Sequence, residues 1–157
     1  MSGEGSPAIT VDGRGMTVVI IAGQWHDVIT NGMIAGAQRT LDASGASHRL
    51  VRVSGSFELP LACKVALENG ADAVVALGVI IRGGTPHFEY IASATTDGLL
   101  RVMLDTGKPV GFGVLTLDDE QQGLDRAGLP GSKEDKGAEA AIAALGAAVL
   151  LRELSQK

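Results

Sequence analysis

The chain is short of several features that would place it in a specialised class. Its single cysteine, Cys63, cannot form an internal disulfide, so a reducing compartment such as the cytoplasm is expected. No apolar run reaches the roughly 18 residues of a membrane span. With a formal net charge of −5 and no basic cluster, the chain lacks the footprint of a nucleic-acid-binding protein. Aromatic residues make up only 3% of it, so each one is a candidate for a specific task.

What the chain has in abundance is small and branched apolar residues. Hydrophobic residues make up 45% of its 157 positions, and 22 positions are glycine, which is typical of a compact α/β protein. We expect a single domain over residues 8–157. Residues 1–7 are Gly/Ser-rich and lack the basic and apolar regions of a signal peptide, so they are expected to form a flexible tail.

Apolar runs alternate with amphipathic segments along the chain. Runs rich in Val and Ile indicate strands of a parallel sheet that is covered on both faces. Four strands are predicted, at 17–22, 50–53, 73–81 and 109–115. Helices are predicted at 29–41 (closed by Gly45), 60–68, 86–104, 118–126 and 134–154. This order predicts a three-layer α/β/α sandwich with a four-stranded parallel sheet.

Two glycines lie inside the first predicted helix. A glycine in a helix interior costs about 1 kcal/mol relative to alanine, so Gly32 and Gly36 need a reason. The apolar stripe continues through them, and we therefore expect them to permit close helix packing and not to break the helix.

The segment 82–90, Arg-Gly-Gly-Thr-Pro-His-Phe-Glu-Tyr, carries the strongest chemical signal. It follows the third strand and opens a helix, and its two glycines let a ligand approach the backbone. Thr85 suits the N-cap, and Pro86 suits the first helical position. The free N–H groups and the dipole of that helix would bind an anion. With His87 beside it, the segment predicts a phosphate site at which an imidazole transfers protons.

Ligands of a parallel sheet collect beyond the carboxyl ends of its strands. Trp25 follows the first strand, Phe57 and Glu58 follow the second, and Phe112 is expected near the end of the fourth, so all should meet His87 at one edge. Trp25 is either a plug over the sheet or a stacking surface for a planar heterocycle. Phe112 is either core or a similar surface. Glu58 either favours a helix N-terminus or accepts hydrogen bonds from a polyol or ring N–H.

Other candidate sites have weaker support. Arg126 and Lys136 are surface cations of a type that is usually solvated. His26 and His48 lack partners at ligand spacing, so no metal site is expected. The chain has no Gly-x-Gly-x-x-Gly fingerprint, P-loop or Gly-x-Ser-x-Gly elbow, which argues against dinucleotide binding, P-loop NTPases and α/β-hydrolases.

Several motifs together give the chain a specific resemblance. They are Gly-Ser-Phe-Glu-Leu-Pro at 55–60, the run from Ala-Leu-Gly-Val-Ile-Ile through Arg-Gly-Gly-Thr-Pro-His-Phe-Glu-Tyr at 76–90, Gly-Val-Leu-Thr at 113–116, Glu-Gln at 120–121 and Asp-Arg-Ala-Gly at 125–128. In this order and spacing, over nearly the whole chain after the tail, they resemble the lumazine synthase family of riboflavin biosynthesis.

The resemblance implies a flavodoxin-like fold and an enzyme without metal or redox cofactor. The family condenses 5-amino-6-(D-ribitylamino)uracil with 3,4-dihydroxy-2-butanone 4-phosphate, and forms 6,7-dimethyl-8-ribityllumazine, phosphate and water. His87 would transfer protons and Trp25 would stack on the pyrimidine. The resemblance further implies that Ser56 and Phe57 contact the ring and ribityl chain and that Glu58 binds the ribityl hydroxyls. The backbone of Val79, Ile80 and Ile81 would bind the uracil edge. Gly84 and Thr85 would bind the phosphate.

The resemblance also implies that an adjacent subunit completes the site. Phe112 and Arg126 would come from that subunit, with Arg126 forming a bidentate pair with the phosphate and Lys136 supporting the same charge. The segment 129–135 is longer than in capsid-forming members and resembles that of pentameric ones. A homopentamer that binds small-molecule substrates, and neither nucleic acid nor a membrane, is therefore predicted.

Two alternatives and one departure stay open. A non-catalytic lumazine or flavin carrier would use the same stacking site. The homologous archaeal-type riboflavin synthases are disfavoured by the Arg-Gly-x-Thr-x-His spacing. Many family members carry Arg/Ser-Phe-Asn where this chain has Gln24, Trp25 and His26, so stacking survives while the polar contact at position 26 is undetermined.

Overall fold

A computed structural model describes residues 4–7 and 9–156. Its elements are β1 (Thr17–Gly23), α1 (Asp27–Ser44), β2 (Ser47–Val53), α2 (Leu59–Glu68), β3 (Ala73–Ile81), α3 (His87–Thr106), β4 (Val110–Leu117), α4 (Glu120–Leu124) and α5 (Lys136–Ser155), with a 3-10 turn at Ser56–Glu58 before α2. The predicted tail includes residues 1–3, which lie outside the described residues, so a flexible tail and the 8–157 domain limits stay predictions. Among the described residues, none of the helices has both the length and the apolar character needed to cross a bilayer.

The four strands form one parallel sheet in the order β2-β1-β3-β4. Every residue of β3 up to Ile80 is buried, as expected for an apolar strand in the middle of a sheet. One apolar core lies between the sheet and helices α1, α4 and α5, and a second lies between the sheet and helices α2 and α3. The predicted three-layer α/β/α sandwich is therefore confirmed.

The predicted apolar face of α1 is also confirmed. The four residues that recur every four positions, Ile29, Met33, Ala37 and Leu41, are buried in the first core. Gly45 ends this helix in the left-handed conformation, in which its N–H binds Asp42 O and Leu41 O.

The two internal glycines of α1 do permit close packing. A Cβ at Gly32 would lie 2.6 Å from the carbonyl oxygen of Ala127, and one at Gly36 would overlap the Asp135 carboxylate. Both contacts come from the segment between α4 and α5, so that segment lies directly on the backbone of α1.

Two element limits differ from the sequence prediction in ways that matter for function. The fourth strand begins at Val110 and continues to Leu117, so Phe112 is near its amino end. Helix α3 begins at His87 with Pro86 as the N-cap, one residue later than predicted. Thr85 is therefore not the N-cap, although its hydroxyl accepts a long hydrogen bond of 3.4 Å from His87 N.

Candidate active site

A cleft of about 430 Å³ lies at the carboxyl ends of β1 and β3. It is lined by Trp25, His26, Gly55, Ser56, Phe57, Glu58, Val79, Ile80, Ile81, Gly83, Thr85, His87, Phe88 and Ile91. Nine of these residues were predicted from sequence as site residues: Trp25, Ser56, Phe57, Glu58, Val79, Ile80, Ile81, Thr85 and His87. The position agrees with the rule that ligands of open parallel sheets bind beyond the strand ends.

Two exposed aromatic side chains stand at the rim of this cleft. Trp25 is 67% exposed and Phe57 is 61% exposed, which disfavours the interpretation of Trp25 as a buried plug over the sheet. The Trp25 carbonyl accepts a hydrogen bond of 2.7 Å from the buried Thr30 hydroxyl, so the backbone that carries the indole is tied to α1. Exposed rings on fixed backbone are suited to stacking on a flat ligand.

His26 occupies an unusual backbone conformation beside Trp25. With φ at 56°, it is the one non-glycine residue with positive φ in the described part of the chain. Asn, Asp and His are the side chains that tolerate this conformation best. The conformation gives a physical reason why either Asn or His suits this turn, and the ring lines the cleft.

The turn after β2 brings a carboxylate and the indole to the same place. A Cβ at Gly55 would lie 3.3 Å from Trp25 Nε1 and 3.4 Å from Glu58 Oε2. Below it, a Cβ at Gly78 would lie 2.5 Å from the Ser56 hydroxyl, so these glycines let the turn fit over β3. Glu58 itself makes no side-chain cap hydrogen bond to α2, which leaves its oxygens available to a ligand.

The floor of the cleft is the end of β3. Val79 is 6% exposed and Ile80 is 9% exposed, so their side chains belong to the two cores. The pairing of β3 with β1 ends at Leu77, so beyond that residue the backbone on this side of β3 is no longer in the β1 ladder, while the other side pairs with β4. A planar ring that carries amide-like edges is the natural partner of such backbone groups.

The loop between β3 and α3 supplies the features of an anion site. The N-cap residue of α3, Pro86, makes no side-chain cap hydrogen bond. The N–H of His87 makes only the long bond to the Thr85 hydroxyl, and the N–H of Glu89 donates to Pro86 O. The positive dipole end of the helix favours an anion beside these groups. Apart from the adjacent residues in the chain, no heavy atom of the described residues lies within 4 Å of the Cβ positions of Gly83 and Gly84. Gly84 and Thr85 also line a shallow hollow on the outer side of this loop. His87 is exposed at the first position of the helix, beside these N–H groups.

Arg82, at the base of this loop, joins three elements. Its guanidinium binds Glu89 in the first turn of α3 and lies 3.0 Å from Asp118 Oδ1, just after β4. It also lies 4.4 Å from the centre of the Phe88 ring. The hydrogen bonds that Arg82 donates to Asp118 and Glu89 raise the pKa of Arg82, and the bond that Glu89 accepts from Arg82 lowers the pKa of Glu89.

Phe112 does not meet the other aromatics in its own chain, contrary to the prediction from the strand ends. It pairs with Ala76 in the middle of β3 and lines a separate apolar hollow of about 230 Å³ with residues of α3. The prediction was wrong because the fourth strand was expected to end at residue 115. The strand continues to Leu117, so Phe112 lies further from its carboxyl end than expected. The third aromatic residue that lines the cleft is Phe88. It belongs to the apolar face of α3 together with Ile91 and Leu99, and that helical pattern could have indicated its inward position.

Arg126 and Lys136 also lie outside the cleft of their own chain. Glu134 stands between them, at 3.8 Å from Arg126 Nε and 3.1 Å from Lys136 Nζ. Burial alone would lower the pKa of Lys136, but hydrogen bonds to Glu139 and Glu134 outweigh it and raise the pKa. Both cations therefore lie beside the same carboxylate.

Cys63 takes no part in this site. It is fully buried in the core between the sheet and α2, and burial raises the pKa of its thiol to about 12. A thiol with that pKa is not a nucleophile at neutral pH.

Comparisons with known proteins agree on one family. The model of the 6,7-dimethyl-8-ribityllumazine synthase family matches residues 15–152. A 6,7-dimethyl-8-ribityllumazine synthase of Leifsonia xyli is 73% identical over 98% of this chain and 99% of its own length. Those of Clavibacter sepedonicus and Streptomyces coelicolor are 64% and 53% identical, each over at least 98% of both chains.

Proposed function

Because the chain belongs to the 6,7-dimethyl-8-ribityllumazine synthase family, we propose that it catalyses the reaction in the family's name. It condenses 5-amino-6-(D-ribitylamino)uracil with 3,4-dihydroxy-2-butanone 4-phosphate and releases 6,7-dimethyl-8-ribityllumazine, phosphate and water. One observation carries this proposal: a single cleft holds an exposed tryptophan, a carboxylate, a strand end and a histidine at the first position of a helix.

One half of the cleft suits the pyrimidine. The ring stacks on Trp25, and the strand-end backbone of residues 79–81 binds its amide-like edge. Glu58 accepts hydrogen bonds from the ribityl hydroxyls, with Ser56 and Phe57 beside it. The convergence of Trp25 and Glu58 on Gly55 supports this arrangement.

The other half suits the phosphorylated ketone. Its phosphate lies against Gly84, Thr85 and the N-terminal N–H groups of α3, where the helix dipole favours negative charge. The open space beside Gly83 and Gly84 supports this assignment, since a bound group can approach the backbone there. Phosphate departs in the reaction, so the same groups stabilise the leaving anion.

His87 transfers protons between these two halves. The amine and ketone form a Schiff base, phosphate leaves, the intermediate tautomerises, and the ring closes. Each step needs alignment and proton movement more than it needs a strong nucleophile. An imidazole, which titrates near neutral pH, meets that need.

A neighbouring copy of the chain completes the site in a homopentamer. Phe112, Arg126 and Lys136 lie outside their own cleft, so only another copy can bring them to it. Exposed apolar side chains support such an assembly: Leu61 is 70% exposed, Leu104 is 71% exposed and Phe112 is 48% exposed in the single chain. Surfaces of this kind mark protein interfaces. A reducing cytoplasm, where the free Cys63 is stable, is the expected location.

The direct test is to incubate the protein with both substrates and to follow the fluorescence of the lumazine product. Product formed with multiple turnovers supports the enzyme. Tight binding of the pyrimidine without product would support the carrier alternative and would overturn this proposal.

Replacing His87 tests its role separately. His87→Ala should lower kcat by roughly a hundredfold or more, because one positioned acid–base group is removed. The oligomer should stay intact. His48→Ala is a matched control, since His48 lies on β2 next to Asp42 and away from the cleft. An undiminished kcat in His87→Ala would remove this residue from the mechanism.

A further inference from the structure

We propose that Arg82 is a positioning residue, which clamps the two ends of the loop 83–86 and so sets the geometry of the phosphate site. The proposal rests on the function proposed above. In this proposal Arg82 does not contact the substrate. Its role is to position the groups that do.

The backbone of Arg82 is held in place at the end of the sheet. The backbone N–H of Arg82 donates a hydrogen bond of 2.8 Å to Leu117 O, which anchors the residue to the end of β4. Its guanidinium then reaches Asp118 from one side and Glu89 from the other. Arg82 precedes the loop and Glu89 follows it, so their pair fixes the separation of the loop's two ends.

The loop has little other packing to hold its shape. Within the described part of the chain, no heavy atom other than those of adjacent residues lies within 4 Å of the Cβ positions of Gly83 or Gly84. The hydrogen bond from His87 N to the Thr85 hydroxyl is long at 3.4 Å. A glycine-rich segment without packing samples many conformations. The ion pairs of Arg82 are therefore well placed to restrict it.

The same guanidinium also orders the wall of the cleft. It lies over the ring of Phe88, at 4.4 Å from its centre, and that ring lines the cleft beside His87. The planar guanidinium of arginine can stack on a ring and form two ion pairs at once, whereas the ammonium group of lysine cannot. Exposed ion pairs contribute little to stability one at a time, so the expected effect is on geometry and not on folding.

The charges around Arg82 argue against its being a ligand of the phosphate. Two carboxylates, Glu89 and Asp118, already face its guanidinium, which makes the cluster of three side chains negative overall. An arginine that binds phosphate directly would not have its charge already neutralised by carboxylates. If Arg82 bound the phosphate, neutral variants of Glu89 and Asp118 should strengthen phosphate binding. If Arg82 only positions the loop, the same variants should weaken it.

The experiment compares Arg82→Gln, Glu89→Gln and Asp118→Asn with wild type. It measures KM for each substrate, kcat, and the Kd of inorganic phosphate. If Arg82 is a clamp, all three variants should raise the KM of the phosphorylated ketone and the phosphate Kd about tenfold, while the KM of the pyrimidine stays unchanged. Arg82→Lys should restore only part of the loss. The control is Arg101→Gln, which removes an ion pair with Asp105 on the same helix, away from the loop.

Three outcomes would overturn the clamp. Phosphate binding that is unchanged or tighter in Glu89→Gln and Asp118→Asn, but lost in Arg82→Gln, would make Arg82 a direct ligand. Equal loss for both substrates, with a lowered unfolding temperature, would make its role structural. Wild-type behaviour in all variants would leave no role for it. Failure of the proposed function is distinguishable, because wild type itself would then form no lumazine.

Discussion

Glycines lie next to both of the proposed phosphate-binding regions, but their surroundings are opposite. In the loop 83–86, a Cβ at Gly83 or Gly84 would meet no heavy atom within 4 Å among the described residues other than their chain neighbours. In the segment that carries Arg126 and Lys136, a Cβ at Gly137 would overlap the carbonyl of Met33 on α1. Neither Gly83 nor Gly84 is among the glycines with positive φ.

The difference separates what the fold requires from what a ligand requires. Gly137 is needed because α5 packs against the backbone of α1. Gly83 and Gly84 are needed neither for space within the chain nor for a left-handed backbone, so the single chain gives no reason for them. A bound anion does give one. The two cations proposed to reach a neighbouring copy thus lie in a segment packed against α1, whereas the loop that they would face is open.

The largest effect is expected at Gly137. Gly137→Ala should lower the free energy of unfolding by about 3 kcal/mol or more, because the new methyl group meets backbone that cannot move aside. Urea unfolding measures this. Gly146→Ala is the matched control on the same helix, where the nearest atom to a Cβ is Val11 Cγ2 at 3.9 Å. It should stabilise by up to about 1 kcal/mol, as is usual for alanine in a helix. Equal effects at the two sites would refute the packing argument.

A smaller loss is expected at Gly36. Here the new methyl group meets the Asp135 side chain, which can rotate away, but Asp135 caps α5 by accepting a hydrogen bond of 3.0 Å from Ala138 N. Gly36→Ala should therefore cost about 1–2 kcal/mol, the value of a lost N-cap. Asp135→Ala should cost about the same, and the double variant should cost little more than either single one. Additive losses would show that the two residues are not coupled.

The loop should show the reverse pattern, with almost no change in stability. Gly84→Ala should alter the free energy of unfolding by less than about 0.5 kcal/mol, since the methyl group points into open space. It should nevertheless raise the KM of the phosphorylated ketone about tenfold, because the proposed phosphate site includes that space. Both quantities are measured on the same preparation. A stable variant with unchanged KM would remove Gly84 from the phosphate site.

Most of the fold was predictable because its strands are apolar runs with sharp limits. The third strand was predicted at 73–81 and is found at Ala73–Ile81. The second was predicted to begin at residue 50 but begins at Ser47, since His48 and Arg49 interrupt the apolar pattern at the edge of the sheet. Edge strands tolerate such residues because one side of them is solvated.

The cleft was predictable where its residues lie in the short segments after strands, as Trp25 does after β1 and Glu58 after β2. The misplacement of Phe112 has a physical reason: an apolar run does not reveal where along it the sheet ends. The clamp of Arg82 was not predicted either, because Asp118 is distant in sequence and reaches it only through the pairing of β3 with β4. The residues assigned to a neighbouring copy stay a prediction that rests on the family resemblance.

The most direct test of the central claim, that two chains share each active site, is a mixed oligomer. His87→Ala and Arg126→Gln chains are co-expressed in equal amounts with different tags, and oligomers that carry both tags are purified. Each variant alone should be nearly inactive. If sites are shared, the mixture should regain about a quarter of wild-type activity, because half of the clefts keep His87 and half of the adjacent chains keep Arg126. Activity that stays at the level of the single variants would show that both residues act within one chain and would contradict the account.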